Sequence, residues 1–242
     1  MAFTALQMVN ELLSRMGLAE VSAMGETADA ITALRKLNIA QQMISTEHPF
    51  VWAQKNAPGT ITAVDGIDIY TLAPDVAHLL AAKHTYGGGG WIKCVDRATL
   101  EMNRSDRTQA SDRNTPRYMT AAGVLQASAS DTPVLRAELW PIPNAAFAGQ
   151  IISYYYTFKL ADLAAATDVS LIPGDFHWLI LEAAETLYRR GPIRTGGDGA
   201  QSQIDLYTIA SENVKQGLRK LISRDSALTG GEMSWEQNAP DL

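Results

Sequence analysis

Apolar residues recur every third or fourth position at both ends of this chain and every second position through its middle, so the pattern predicts helices flanking a block of strands. Over residues 3–16, Leu6, Val9, Leu13 and Met16 make one apolar stripe. A capping box specifies the start, with Thr4 as N-cap and Gln7 three residues on, and Phe3 is placed to staple onto Met8. Gly17 then supplies a left-handed stop. A second helix over about 27–47 sets Ile31, Leu34, Leu37 and Ile44 along one side, with Asn38 and Gln41 as polar members of that stripe. His48-Pro49 ends it, because the proline ring disfavours helical backbone at the residue before it.

Between residues 58 and 160 the period changes to two. Thr60 to Val64 and Ile67 to Leu72 flank Asp65-Gly66, a strong hairpin signal. Further strands are predicted at Leu79 to Tyr86, Trp91 to Val95, Arg117 to Ala121, Val124 to Ala127, Val134 to Trp140 and Gln150 to Phe158. A short helix is expected near Ala98 to Arg104, followed by an exposed polar loop over 105–115. Helical spacing returns after Pro173-Gly174, with Asp175 as N-cap of a helix to about Arg190 whose buried side is Phe176, Leu179, Ile180, Ala183 and Leu187. Residues 191–199 read as an interhelical loop. A helix over about 200–223 follows, with Ile204, Tyr207, Val214, Leu218 and Leu221 as a seam that Ser211 interrupts.

A helix with a single apolar stripe needs a partner to cover it, so the four long helices are best satisfied by one another. The expected fold class is therefore α+β. Residues 1–57 and 161–224 form a four-helix bundle, residues 58–160 an antiparallel β-sheet or sandwich inserted between helices two and three, and residues 225–242 an extended C-terminal arm.

Composition narrows the function classes. With 46% hydrophobic and 19% charged residues the chain reads as a globular protein. Twenty Lys+Arg against 26 Asp+Glu leave a net charge of −6, the wrong sign for a protein that wraps nucleic acid by neutralising phosphates. The one cysteine, Cys94, excludes an internal disulfide and a thiolate metal cluster. The N-terminus lacks the basic and apolar segments of a signal peptide, and no stretch reaches the roughly 18 apolar residues of a membrane span, so the expected setting is the cytoplasm or a particle assembled there.

Candidate chemistry is sparse. His48, His78, His84 and His177 have no metal-ligand spacing, and Glu182 with Glu185 lacks the Glu-x-x-His partner of a di-metal helix bundle. Gly87 to Gly90 lacks the Lys-Ser/Thr of a phosphate loop and reads as a hairpin turn. The loop Arg194 to Gly199, with Arg189 and Arg190 nearby, precedes a helix and is a candidate anion or DNA contact. Tyr154, Tyr155, Tyr156 and Phe158 alternate faces on one strand; one side suits a core, and the other is either covered by a helix within the chain or is an interface. Leu228, Met233 and Trp235, set among small and acidic residues, have the form of a docking arm that orders on a partner. No catalytic residue, cofactor or metal is expected.

Several phrases, in order, carry a resemblance. They are Leu34 to Ile44 followed by Trp52 and the hairpin, Thr115-Pro116-Arg117-Tyr118, Leu139-Trp140-Pro141-Ile142-Pro143, Ile151 to Phe158, and Leu171-Ile172-Pro173 leading into Asp175-Phe176-His177-Trp178. Together they span about residues 5–222 and resemble the head-to-tail adaptor, or connector, family of tailed bacteriophages, which includes tail accessory factors and tubular proteins of short-tailed phages. The resemblance implies a non-catalytic virion protein at the head-tail junction, in a closed ring of copies, commonly twelve. Its partners would be the portal protein, a tail or nozzle protein and passing DNA held without sequence-specific contacts, with no membrane; Leu228, Met233 and Trp235 would then be a portal docking arm, Arg189, Arg190 and Arg194 a DNA or portal contact, and Tyr154 and Tyr156 a subunit or tail interface. Two rival readings remain at this point: an enzyme that holds a phosphorylated substrate on a glycine loop, and a β-sandwich binding module with helical decoration.

Overall fold

A computed structural model describes residues 2–104, 113–125, 133–189 and 199–228, with backbone alone over 199–210. Among the described residues the fold is mixed α+β, with five α-helices, a seven-stranded sheet and a two-stranded one. The chain divides into two compact units: residues up to Ala53 with those from Lys159 on, and Gln54–Phe158.

In the helical unit, α1 (Ala5–Arg15) starts at the predicted capping box: Thr4 Oγ1 accepts from the Gln7 amide at 3.3 Å, and the Thr4 amide donates to Gln7 Oε1 at 2.9 Å. Gly17 follows with φ +72°. The buried side is Ala5, Met8, Val9, Leu12 and Leu13, rotated from the expected stripe, so that Leu6 and Met16 are only half-buried. α2 (Ala28–Glu47) is capped by Thr27 and buries Ala30, Ala33, Leu37, Ala40, Gln41 and Ile44, whereas Ile31, expected in the stripe, is 56% exposed. The reason is steric: α2 packs against both α1 and α4 (His177–Arg189), and alanines admit a closer approach than β-branched residues. Asn38 and Gln41 hold the chain where it returns from the β unit. The Leu163 amide donates to Asn38 Oδ1 at 2.8 Å, and Gln41 Nε2 donates to the Ala161 carbonyl at 2.9 Å.

α4 begins after a single 3-10 turn, Gly174–Phe176, so Asp175 does not cap it as expected; its carboxylate pairs with Arg224 instead. α5 (Gly199–Leu228) packs on α4 and runs past the predicted end at 223. Asp225–Leu228, expected to open the arm, are its last turn. Asp225 explains the extension: it is 4% exposed, and its carboxylate accepts from the Val51 amide at 3.1 Å, which anchors that turn.

The β unit contains β1 (Gly59–Thr62), β2 (Ile69–Thr71), β3 (Val76–His84), β4 (Gly90–Cys94), the helix α3 (Arg97–Met102), β5 (Arg113–Asn114), β6 (Tyr118–Leu125), β7 (Val134–Trp140), β8 (Ile142–Pro143) and β9 (Ile151–Phe158). The strand order is β1-β9-β3-β4-β6-β7-β2, a large, nearly closed sheet. Two expectations fail here. Asp65-Gly66 does form a turn, with Gly66 at φ +75° and the Ile67 amide on the Val64 carbonyl at 3.1 Å, yet β1 and β2 do not pair; they are opposite edges of the sheet. Tyr70 takes up the turn's free groups, its hydroxyl lying 3.0 Å from the Val64 amide and 2.8 Å from the Ile67 carbonyl. Nor is the sheet wholly antiparallel. β4 and β6 pair in parallel, Lys93 opposite Tyr118, because the connection through α3 is a crossover and not a tight turn.

The core of this unit gathers Ile61, Leu72, Ala82, Ile92, Met119, Leu139, Phe147 and Ile152 with Tyr154 and Tyr156. The predicted strands at 117–121 and 124–127 are a single strand, β6, with an irregular register between Ala121 and Val124 and Gly123 at φ +98°. Gly87, Gly88 and Gly89 lie at φ +62°, +97° and +91° in the turn between β3 and β4, the structural role expected for that run.

Candidate interaction surface

The strand period decides which aromatics face outward. β9 turns Tyr154 and Tyr156 into the core, at 2% and 4% exposure, and Tyr155 the other way. The interface role expected of Tyr154 and Tyr156 therefore meets two inward side chains. Tyr154 Oη accepts from the Ala73 amide at 2.8 Å, and Tyr156 Oη donates to Asp75 at 3.1 Å. Burial pushes the Tyr156 hydroxyl up to about 12, helped by the negative Asp75 beside it. Burial also pushes the Asp75 carboxyl upward, but hydrogen bonds from Lys55, at 2.9 Å, and from Tyr156 outweigh it and hold Asp75 below its ordinary value.

The outward face is built by register. Ala81 on β3 lies opposite Tyr155, Lys83 lies opposite Ser153 on β9 and opposite Trp91 on β4, and Trp91 and Lys93 alternate with the buried Ile92. Trp91 is 55% exposed, with its ring centroid 6.4 Å from that of Tyr155, and Lys83 Nζ sits 5.5 Å from the centre of the Tyr155 ring. Beside them Gln54, Lys55, Leu80, Ala81 and Tyr156 complete an open pocket of about 130 Å³. Gln54 Nε2 is buried and has no hydrogen-bond partner among the described residues. Trp91 and Lys83 were not singled out from the sequence. Alternation within 90–94 places Trp91 and Lys93 on one side, but only the pairing of β3 with β4 and β9 brings Tyr155 and Lys83 to them.

The other expected contact residues are distributed differently. Arg189 is committed inside the helical unit, with its guanidinium on Glu185 at 2.8 Å and on the Arg15 carbonyl at 3.4 Å. Arg190 and Arg194 lie outside the described residues, as do Met233 and Trp235. Leu228 ends α5, 72% exposed.

The histidines serve structure in what is described of them. His177 is fully buried; its Nδ1 accepts from the Phe3 amide at 3.0 Å, so its Nε2 carries the proton donated to the Ile172 carbonyl at 2.9 Å. His84 stacks edge-on to Phe147, and burial holds its pKa below the ordinary value. Glu182 and Glu185 both pair with Arg15, at 3.2 and 3.6 Å. Among the described residues no group of His, Cys, Asp and Glu is placed to hold a metal ion, and no helix is long and apolar enough to cross a membrane.

The outward face of the sheet is thus aromatic and basic around Trp91, Tyr155 and Lys83. No curated protein matches the chain. The family model described as SU10 adaptor protein matches residues 3–231, nearly the whole length, and the chain belongs to that family of bacteriophage head-to-tail adaptor proteins.

Proposed function

We propose that this protein is one subunit of a closed ring that docks beneath the portal of the phage head, carries tail proteins below, and contributes to the wall of the DNA channel. In this reading α1, α2, α4 and α5 form a four-helix ring body, with the β unit inserted between α2 and α4 to meet neighbouring copies or the tail. The ring is commonly of twelve copies in adaptors of this kind. The family match over residues 3–231 carries the reading. The net charge of −6 supports it, since an acidic wall repels DNA and lets it slide past. The place of action would be the head-tail junction of the virion, with assembly in the host cytoplasm.

The test is electron microscopy of the purified chain mixed with its own portal ring. The expected result is an added ring of density beneath the portal. Portal rings that stay bare at micromolar chain concentration would overturn the adaptor role.

A further inference from the structure

The pocket between Trp91 and Tyr155 has mainly apolar walls, with lysines at its margin. It holds about 130 Å³ and is open to solvent, so an aromatic ring can lie against its walls without being enclosed. Its walls are Leu80, Ala81, Trp91, Tyr155 and Tyr156, and Lys55 is the one charged residue lining it. Lys83 and Lys93 flank Trp91 on the same outward face, in a molecule whose overall charge is −6.

The chain itself carries a segment of matching chemistry. α5 ends at Leu228, and 14 residues follow it. They include Trp235 with Glu232 and Glu236 on either side, and they contain no lysine or arginine. A closed ring of identical subunits needs two different, complementary patches on every copy, and an aromatic knob with a pocket for it meets that need.

We propose that the Trp91–Tyr155 pocket receives Trp235 from the C-terminal segment of a neighbouring copy, with Glu236 drawn to Lys83. This rests on the ring reading above and names one contact within the ring. It gives the segment a receptor on the adaptor itself, where the sequence alone suggested the portal.

The test uses full-length chains assembled on their portal ring in a Cys94→Ala background. One population carries Lys93→Cys and the other Asn238→Cys, and a short bis-maleimide joins thiols that lie close together. The expected result is a crosslink between the two populations. Trp91→Ala or Trp235→Ala should reduce its yield at least tenfold, with portal attachment and melting temperature unchanged. Lys83→Glu should weaken it likewise, and Glu236→Lys in the other population should restore it.

Three results overturn the proposal: a yield indifferent to all these changes, a crosslink formed only when both cysteines share one chain, or no crosslink while Trp235→Ala abolishes portal attachment. The last result assigns the segment to the portal and leaves the adaptor reading standing. Failure of the unsubstituted chain to attach at all would instead remove the adaptor reading itself.

Discussion

Gly217 shows how one residue sets the spacing of two helices. A Cβ built there would lie 2.6 Å from the Trp178 ring and 2.7 Å from Leu179 Cδ1, so α5 can approach α4 this closely only over a bare backbone. Helix propensity alone favours Gly217→Ala by about 1 kcal/mol. Overpacking a rigid contact opposes it by about 1–3 kcal/mol. The expected outcome is net destabilisation in urea unfolding, and a stabilised variant would disprove the close crossing. Glu138 is the corresponding case in the β unit. It is fully buried, and its carboxylate accepts from Arg97 at 2.6 Å and from Arg104, whose side chain is itself buried and lies over the Trp140 ring. Glu138→Ala strips Arg104 of its buried partner, a change of order 3–5 kcal/mol. Because Arg104 keeps Glu101 at 2.9 Å, the lower end is expected in the same measurement.

At the level of elements, α2 tests which of its sides is core. Its buried face includes Ala30, Ala33 and Ala40, and Ile31, Ile39 and Met43 lie on the exposed side. Ala33→Leu should therefore destabilise the protein by about 1–3 kcal/mol, whereas Ile31→Ala should change it by no more than about 0.5 kcal/mol. The reverse order in chemical denaturation would mean that Ile31 faces the core. The same helix shows what was legible in the sequence. Its end at His48-Pro49 was, because the proline acts on the residue before it, and so were the capping box of α1 and the glycine turn before β4. Of its buried face Leu37, Gln41 and Ile44 were, but Ala30, Ala33 and Ala40 were not, because periodicity seeks the largest apolar residues and a helix between two neighbours also buries small ones. In the sheet, Asp65-Gly66 fixed a turn but not a pairing, since β9 and β7 compete for β1 and β2 from more than 60 residues away. For the same reason the outward aromatic surface was only half visible. That β9 has two aromatic sides followed from alternation, and which side faces the core depended on partners distant in sequence.

The acid response belongs to the whole molecule, since the carboxylates that govern it are spread through both units. Asp96 caps α3, and hydrogen bonds from the Thr99 amide and hydroxyl hold its pKa below the ordinary value. Asp168 is held low by the Ala165 and Ala164 amides, and Glu26 by the Ser22 amide and hydroxyl and the Ala23 amide. In Asp75 the hydrogen bonds from Lys55 and Tyr156 overcome the opposing effect of burial. Each of these groups binds its proton less readily folded than unfolded, so its stabilisation is complete above the unfolded carboxyl pKa of about 4 and disappears as pH falls through the lower folded value. Asp225 has the opposite sign. Burial raises its pKa against the pull of the Val51 amide and His48, so the folded state favours its protonated form and it loses stability as pH rises through that raised value. The melting temperature should accordingly fall steeply below about pH 4. Asp225→Asn keeps an oxygen for the Val51 amide while removing the desolvated charge. It should melt within a few degrees of the parent at pH 7, whereas Asp225→Ala, which leaves that amide without an acceptor, should melt clearly lower. Equal melting of the Asn and Ala variants would show that Asp225 does not anchor the last turn of α5, and the helix would then be free to end near 223, as its periodicity alone predicts.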